Sequence, residues 1–297
     1  MNLAKLFEKS DETEYITFPR AFKNYVWYKP ILVFILASII MFFIGGIIAL
    51  VTYQMFGVDF IKSIFGGGID GLNSATSVLF TDLIIIMFLP GLYLASKIIK
   101  DRPFSSYSSS RGGWNFKLYF KALIIPLALY IIYQGIETAI NGGEGTFQFS
   151  ILFLIVIFIT VPLQSITEEY MFRGLLMQTF GSWFKIPILA VIIQAVFFAL
   201  AHGYNSFGFT EMIVMGLISG FLTWKTNGLE VSSAIHTANN ICVGLFIMLG
   251  LHTSTSSPQL TSVLSTIAFE IILFILMYYI GNKTNWFGEI TENSQNA

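Results

Sequence analysis

Three charged side chains stand together in Glu168-Glu169-Tyr170-Met171-Phe172-Arg173, between flanks that are otherwise almost wholly apolar. An ionisable group at membrane depth costs about 3 kcal/mol even on lenient insertion scales, so it persists where it is paired and useful. Successive helix positions differ by about 100°, which points the two glutamates to different faces and predicts different partners for them. Glu169 and Arg173 are four apart with the acid first, the favourable order for a helical ion pair. Glu168 is left over, presented to a cavity as a candidate general base. A Glu/Arg pair near a helix end is also a common structural feature, so these six residues alone do not fix a function.

Two further pairs repeat the helical spacing. Phe198 and His202 are four apart, as are His236 and Asn240, so each pair lies along one face of its helix. A lone histidine on an apolar helix usually hydrogen-bonds a neighbour and does no chemistry. Three polar clusters on separate spans need a shared, water-accessible interior, because none is satisfied in lipid. A carboxylate base, a histidine beside it and a His/Asn donor pair make up a hydrolytic constellation. Cys242 lies six residues past His236, about 240° round the helix, a poor placement for a Cys/His nucleophile. Asp82, Glu211 and Glu270 read as interhelical or interfacial acids, His252 as a solvated residue at a helix end, and Gln194 as a residue near His202 on its side of the helix.

The elements that position these residues follow from composition. The chain has 297 residues, 55% hydrophobic and 11% charged, with mean hydropathy +0.73; an ordinary soluble domain is about 25% charged. An all-α, polytopic membrane protein is predicted, of about eight transmembrane helices around an intramembrane catalytic cavity. The apolar runs are 31–53, 76–99, 118–136, 149–180, 186–202, 210–226, 231–251 and 261–280, each read against the roughly 20 residues that cross a bilayer. Pro162 predicts a kink in the fourth, and Gly216 and Gly220 a close-packing face on the sixth. Sixteen basic and 17 acidic residues leave no basic surface for nucleic acid. One cysteine makes no internal disulfide.

Three regions result: an N-terminal cytoplasmic or interfacial segment 1–30, a transmembrane domain 31–281, and a polar, disordered tail 282–297. A Gly66-Gly67-Gly68 loop follows the first span, and a Ser-rich basic loop joins Lys100 to Lys117. With Arg173 set aside in the motif, placing the N-terminus in the cytoplasm puts fourteen lysines and arginines inside and only Lys62 outside, which predicts cytoplasmic termini in a cell membrane. Counting about 1.5 Å per residue from the inner helix ends puts Glu168 about 18 Å deep, His202 about 20–25 Å and His236 about 10 Å.

The motifs Glu168-Glu169-xxx-Arg173, Phe198-xxx-His202 and His236-xxx-Asn240, in this order, resemble those of the CPBP family, which holds type II CAAX prenyl endopeptidases and bacteriocin-processing or immunity proteins. The resemblance covers a catalytic core of about 150–250. It implies an intramembrane endopeptidase cutting a membrane-associated peptide or protein near the cytoplasmic face. On this likeness the catalytic set is Glu168, Glu169, Arg173, His202, His236 and Asn240, with Glu168 activating water beside His202, and His236 with Asn240 receiving the oxyanion.

Two other classes share these features: a non-proteolytic scaffold or immunity protein on the same fold, and a transporter, against which the absence of an internal repeat speaks. The family's usual class is metalloendopeptidase. A catalytic zinc takes three protein ligands and leaves one position for water. Here those are Glu168, His202 and His236, which removes His236 from the donor role and leaves Asn240, a poor zinc ligand, without its partner. No helix carries a His-Glu-x-x-His pair, so a metal-independent mechanism without cofactor is the expectation, with Zn2+ as the alternative.

Overall fold

The computed structural model describes residues 6–65 and 68–284. Every regular element among them is helical, apart from one isolated bridge between Ser109 and Gly228. Helix α1, Lys29–Phe65, is broken at Gly57, whose φ of 82° lies in the left-handed region that glycine tolerates. The expected span 76–99 is two helices, α2 (Ala75–Ile86) and α3 (Phe88–Ile99), meeting at Met87. Pro90 has no N–H for the Ile86 carbonyl, which accounts for a break at this place. The four-residue α4 is Ser105–Ser108, and α5, Phe116–Asn141, absorbs Pro126 in its interior.

The motif-bearing run is helical from Ile151 to Phe184, as α6 (Ile151–Ile155), α7 (Val161–Glu169) and α8 (Gln178–Phe184) joined by two π-helical stretches, Val156–Thr160 and Tyr170–Met177. The first ends two residues before Pro162, whose missing N–H leaves the Phe158 carbonyl without its usual donor; the predicted kink is thus a widened turn. The second follows the glutamates at once and has no proline to cause it. Then come α9 (Pro187–His202), α10 (Ser206–Thr226), α11 (Glu230–Met248) and α12 (Leu260–Thr284).

Seven of these stretches among the described residues are long and apolar enough to cross a membrane. The eighth expected span is α9, whose 16 residues reach only about 24 Å. Side chains such as Ile39, Phe42, Phe43, Ile124, Ile132 and Ile272 are exposed on the outside of the bundle, where acyl chains replace water as their neighbours. In α11, by contrast, 72% of the apolar window is buried, against 11% in α5 and 17% in α1. The histidine-bearing α11 is therefore central. Gly216 and Gly220 press α10 on α9, where an added Cβ would meet Ala195 at 2.8 Å and the Gln194 amide at 2.5 Å.

One end of the bundle is closed by protein where the sequence reads as solvated. In the segment between α3 and α5, Asp101, Arg102, Tyr107, Ser108, Ser109 and Ser110 are all buried. Arg102 lies over the Tyr107 ring with 3.8 Å to its centroid and donates to Gln178 Oε1 at 2.6 Å. Tyr107 donates to both oxygens of Asp101 at 3.0 and 2.8 Å, and burial holds its phenol well above the usual value, so it keeps that hydrogen. From the N-terminal segment Tyr15, Ile16, Thr17, Phe18 and Pro19 are buried as well. Tyr15 donates to the Tyr107 carbonyl, and the Ile16 carbonyl packs where Gly181 has no side chain. A Ser-rich segment is buried here because its polar groups find partners across the chain. Two arginines counted towards orientation, Arg102 and Arg111, belong to this cap, Arg111 pairing with Glu230 at 2.7 Å. Of the tail, 282–284 continue α12; residues 1–5, Gly66 and Gly67, and 285–297 lie outside the described residues.

Candidate active site

Glu168 is the last but one residue of α7, at the midpoint of the run Ile151–Phe184. Its Oε1 accepts from Gln164 Nε2 at 2.6 Å, while Oε2 is buried without a hydrogen-bond partner. Two imidazoles converge on that oxygen: His236 Nε2 from α11 at 3.6 Å and His202 Nε2 from α9 at 3.8 Å. The other nitrogen of each ring fixes its tautomer. His202 Nδ1 faces the Phe198 carbonyl at 2.7 Å and His236 Nδ1 faces Glu169 Oε1 at 3.0 Å; both partners are acceptors, so both Nδ1 atoms carry hydrogen. In the neutral rings each Nε2 therefore turns a lone pair towards Glu168.

Glu169 and Arg173 are fully buried and joined at 2.8 Å. The two glutamates do not have separate partners. His236 lies between them, one ring nitrogen to each, because long carboxylate side chains reach round the angle that separates their backbones. Phe198 packs this corner. Arg173 sits over its ring at 4.3 Å, and Phe172, His202 and His236 surround it with centroid separations of 5.1, 4.5 and 5.9 Å. A ring face toward a guanidinium is an attractive arrangement where water is scarce.

Asn240 is not beside His236 as a free donor. Its Nδ2 donates to Gln164 Oε1 and Ser165 Oγ, each at 3.2 Å, and its Oδ1 accepts from Asn239 at 3.0 Å. Gln164, Ser165 and Asn239 were not among the residues singled out by sequence. The signal for Gln164 was its place one turn before Glu168 on the same face; nothing in the sequence linked it to Asn240.

The depths counted from helix ends place the three motifs at different levels, yet they meet within 4 Å. The reason lies at the start of α11, whose first residue is buried in protein and is not an exposed helix end. Glu230 is buried on the cap, held by Arg111 and by the Asn115 N–H at 2.9 Å, an acid where a helix N-terminus favours one. The cluster is most open at His202, whose side chain is 22% exposed against 10% for Glu168 and 3% for His236.

The remaining polar residues are elsewhere. Gln194 ties α9 to α10 through the Gly216 carbonyl at 2.7 Å. Asp82 accepts from Thr160 at 2.7 Å, Cys242 faces the Leu127 carbonyl at 3.7 Å, Glu270 is buried, and His252 is exposed. A zinc site would draw on Glu168, His202 and His236. Among the described residues, however, no three His, Cys, Asp or Glu side chains are disposed to hold a metal ion.

Residues 148–242 match the family described as type II CAAX prenyl endopeptidase Rce1-like. The uncharacterized protein YyaK of Bacillus subtilis (strain 168) is 29% identical over 177 residues, 56% of this chain and 59% of that protein's length. No solved structure matches the chain. The three motifs and the family match fall on one stretch: it is through residues 148–242 that this integral membrane protein resembles the Rce1-like type II CAAX prenyl endopeptidases, and it spans less than two thirds of the length of the relative it matches.

Proposed function

We propose that the chain hydrolyses a peptide bond of a membrane-associated peptide or protein, with Glu168 as the base that activates water. The observation that carries this is the asymmetry of Glu168: Oε1 is held by Gln164, and Oε2 is unpartnered between two imidazole Nε2 atoms. A water between Oε2 and the scissile carbonyl gives its proton to the carboxylate as its oxygen bonds to the carbonyl carbon. The new oxyanion then needs hydrogens. Asn240 supplies one by releasing either of its long 3.2 Å bonds. His236 supplies another when Nε2 is protonated, Glu169 already accepting the hydrogen on Nδ1. Collapse breaks the C–N bond, and the proton held by Glu168 passes, through the adjacent His202, to the leaving nitrogen. No step is routed through a metal.

Glu169 and Arg173 hold His236 in place. Basic residues in the cap and at the cap end of the bundle support cytoplasmic termini in a cell membrane, and the family's description makes a prenylated C-terminal peptide the first substrate class to try. The test is cleavage of fluorogenic peptides, with and without a C-terminal prenylated cysteine, by purified protein in liposomes. Wild type is expected to cut a membrane-anchored peptide, and Glu168→Gln to fold but to lose the activity by about 100- to 10,000-fold. Cleavage by Glu168→Gln at the wild-type rate would overturn the assignment.

A further inference from the structure

A second polar cluster lies near the middle of the spans, on a different face of α11 from Glu168. Glu270 of α12, Tyr130 of α5 and Ser219 of α10 border a cavity of about 10 Å³, with Met215, Ile235 and Phe274 among its apolar walls. Ile235 and His236 are neighbours on α11 and diverge by about 100°, one towards this cavity and the other towards Glu168. All three polar residues are more than nine-tenths buried, yet neither the Tyr130 hydroxyl nor Glu270 Oε2 has a hydrogen-bond partner. Buried polar atoms are satisfied as a rule, and here the cavity is the place from which a partner reaches both. Phe269 meets the Tyr130 ring edge-on at 4.9 Å and stacks on Tyr133 at 4.4 Å. Tyr133 in turn meets Ser265 Oγ and Thr266 Oγ1 at 3.2 and 3.1 Å, and Glu137, one turn further along α5, accepts from Asn141 at 2.8 Å where the helix is exposed. Tyr130, Tyr133, Glu137 and Asn141 thus form a line of polar groups from the end of α5 to the cavity.

The cavity admits one body of about the size of a water molecule. Charge decides what that body is. An unbalanced carboxylate at membrane depth is costly, and among the described residues no basic side chain acts on Glu270; the one charge that does belongs to a second acid, Glu211 of α10. A water satisfies hydrogen bonds but leaves the charge, whereas a cation answers both needs. Ca2+ and Mg2+ call for about six or more oxygens, in part from waters that this space does not hold. A bare Na+ is smaller than a water molecule, one carboxylate balances it, and hydroxyl oxygens suit it as neutral ligands. We infer that Glu270, with the hydroxyls of Tyr130 and Ser219, binds a dehydrated Na+ that ties α12 to α5 and α10. The line of polar groups on α5 is its route of entry. The site uses a single acid and neutral oxygens, and it owes nothing to the catalytic cluster.

Binding of radiolabelled Na+ to the purified protein in detergent, in a choline chloride buffer, tests this. Wild type is expected to take up a single equivalent, saturably and in competition with unlabelled Na+. Glu270→Gln, which keeps the shape and removes the charge, should weaken binding by about tenfold or more. Tyr130→Phe removes one oxygen and should weaken it several-fold; if Glu270→Gln fails to fold, Tyr130→Phe reads the same cavity. Glu168→Gln should bind as wild type does. Added NaCl, and not choline chloride, should also raise the melting temperature of wild type, by about 5 °C at a hundredfold excess over Kd. Glu270→Gln should lack that rise. Absence of saturable uptake by folded wild type, which would leave an ordered water or a protonated carboxyl in that place, overturns the inference. So does uptake unchanged in both cavity variants, or lost in Glu168→Gln, which would move the ion to the catalytic cluster.

Discussion

His236 gives its Nδ1 hydrogen to Glu169 Oε1 at 3.0 Å, and that bond determines what the opposite edge of the ring offers Glu168. The same carboxylate oxygen takes the Arg173 guanidinium at 2.8 Å, so Arg173 reaches the candidate base through two intermediaries. A charge far from the reacting atoms is thus built into their geometry.

Arg173→Ala is expected to lower stability as well as activity. It strands Glu169 as a buried, unpaired charge, and breaking such a pair costs about 3–5 kcal/mol. The double variant Arg173→Met with Glu169→Gln removes both charges and should regain much of the thermal stability while remaining slow. Equal melting of wild type and Arg173→Ala would contradict this division.

Phe198→Leu keeps an apolar side chain but removes the ring under Arg173 and between the histidines. A loss of about 1–2 kcal/mol is expected from the cation–π and edge contacts together. Activity should fall further than stability, because His202 loses the ring against which it packs. A variant that melts lower yet turns over normally would show that the ring does not orient the histidine.

Metal dependence is decided by chemistry in solution. After exhaustive dialysis against chelators the protein is expected to retain its cleavage rate and to contain zinc well below one equivalent. Stoichiometric zinc, with activity lost on removal and restored on return, would instead make Glu168, His202 and His236 the ligands and leave Asn240 only its role toward Gln164.

Gly181→Val tests the docking of the N-terminal segment, since an added side chain occupies the place of the Ile16 carbonyl. Backbone cannot give way as a flexible side chain can. Faster proteolysis between residues 10 and 25, with the bundle intact, is the expected result. An unchanged digestion pattern would mean that this packing contributes little.

Much of the architecture is legible in composition, because lipid demands long apolar helices and the hydropathy of α1, α5 and α12 reports them directly. The motifs are legible for a similar reason: Glu169 with Arg173, and Phe198 with His202, are pairs within one helix, where spacing alone sets neighbours. What spacing does not carry is the partner on another helix. Asn240 reads as a neighbour of His236, whereas its amide hydrogens go to Gln164 and Ser165 on α7. The segment 101–110 misleads in the opposite sense. Serines, Asp101 and Arg102 look like a solvated loop until Gln178, Gly174 and Asn227 are brought to them by the fold. The π-helical stretch after the glutamates has no proline to announce it.

The N-terminal cap has a consequence for the order in which the molecule is made. Arg20 donates to the Ser182 carbonyl across 162 residues of chain, Ile16 docks on Gly181, and Tyr15 donates to the Tyr107 carbonyl, 92 residues further on. These residues leave the ribosome before any of the spans described above. At roughly 5–20 residues per second their binding partners follow many seconds afterwards. Closure of this end is therefore a late event of biogenesis, and a factor that held the nascent N-terminus would delay completion of the fold without hindering insertion of a single helix.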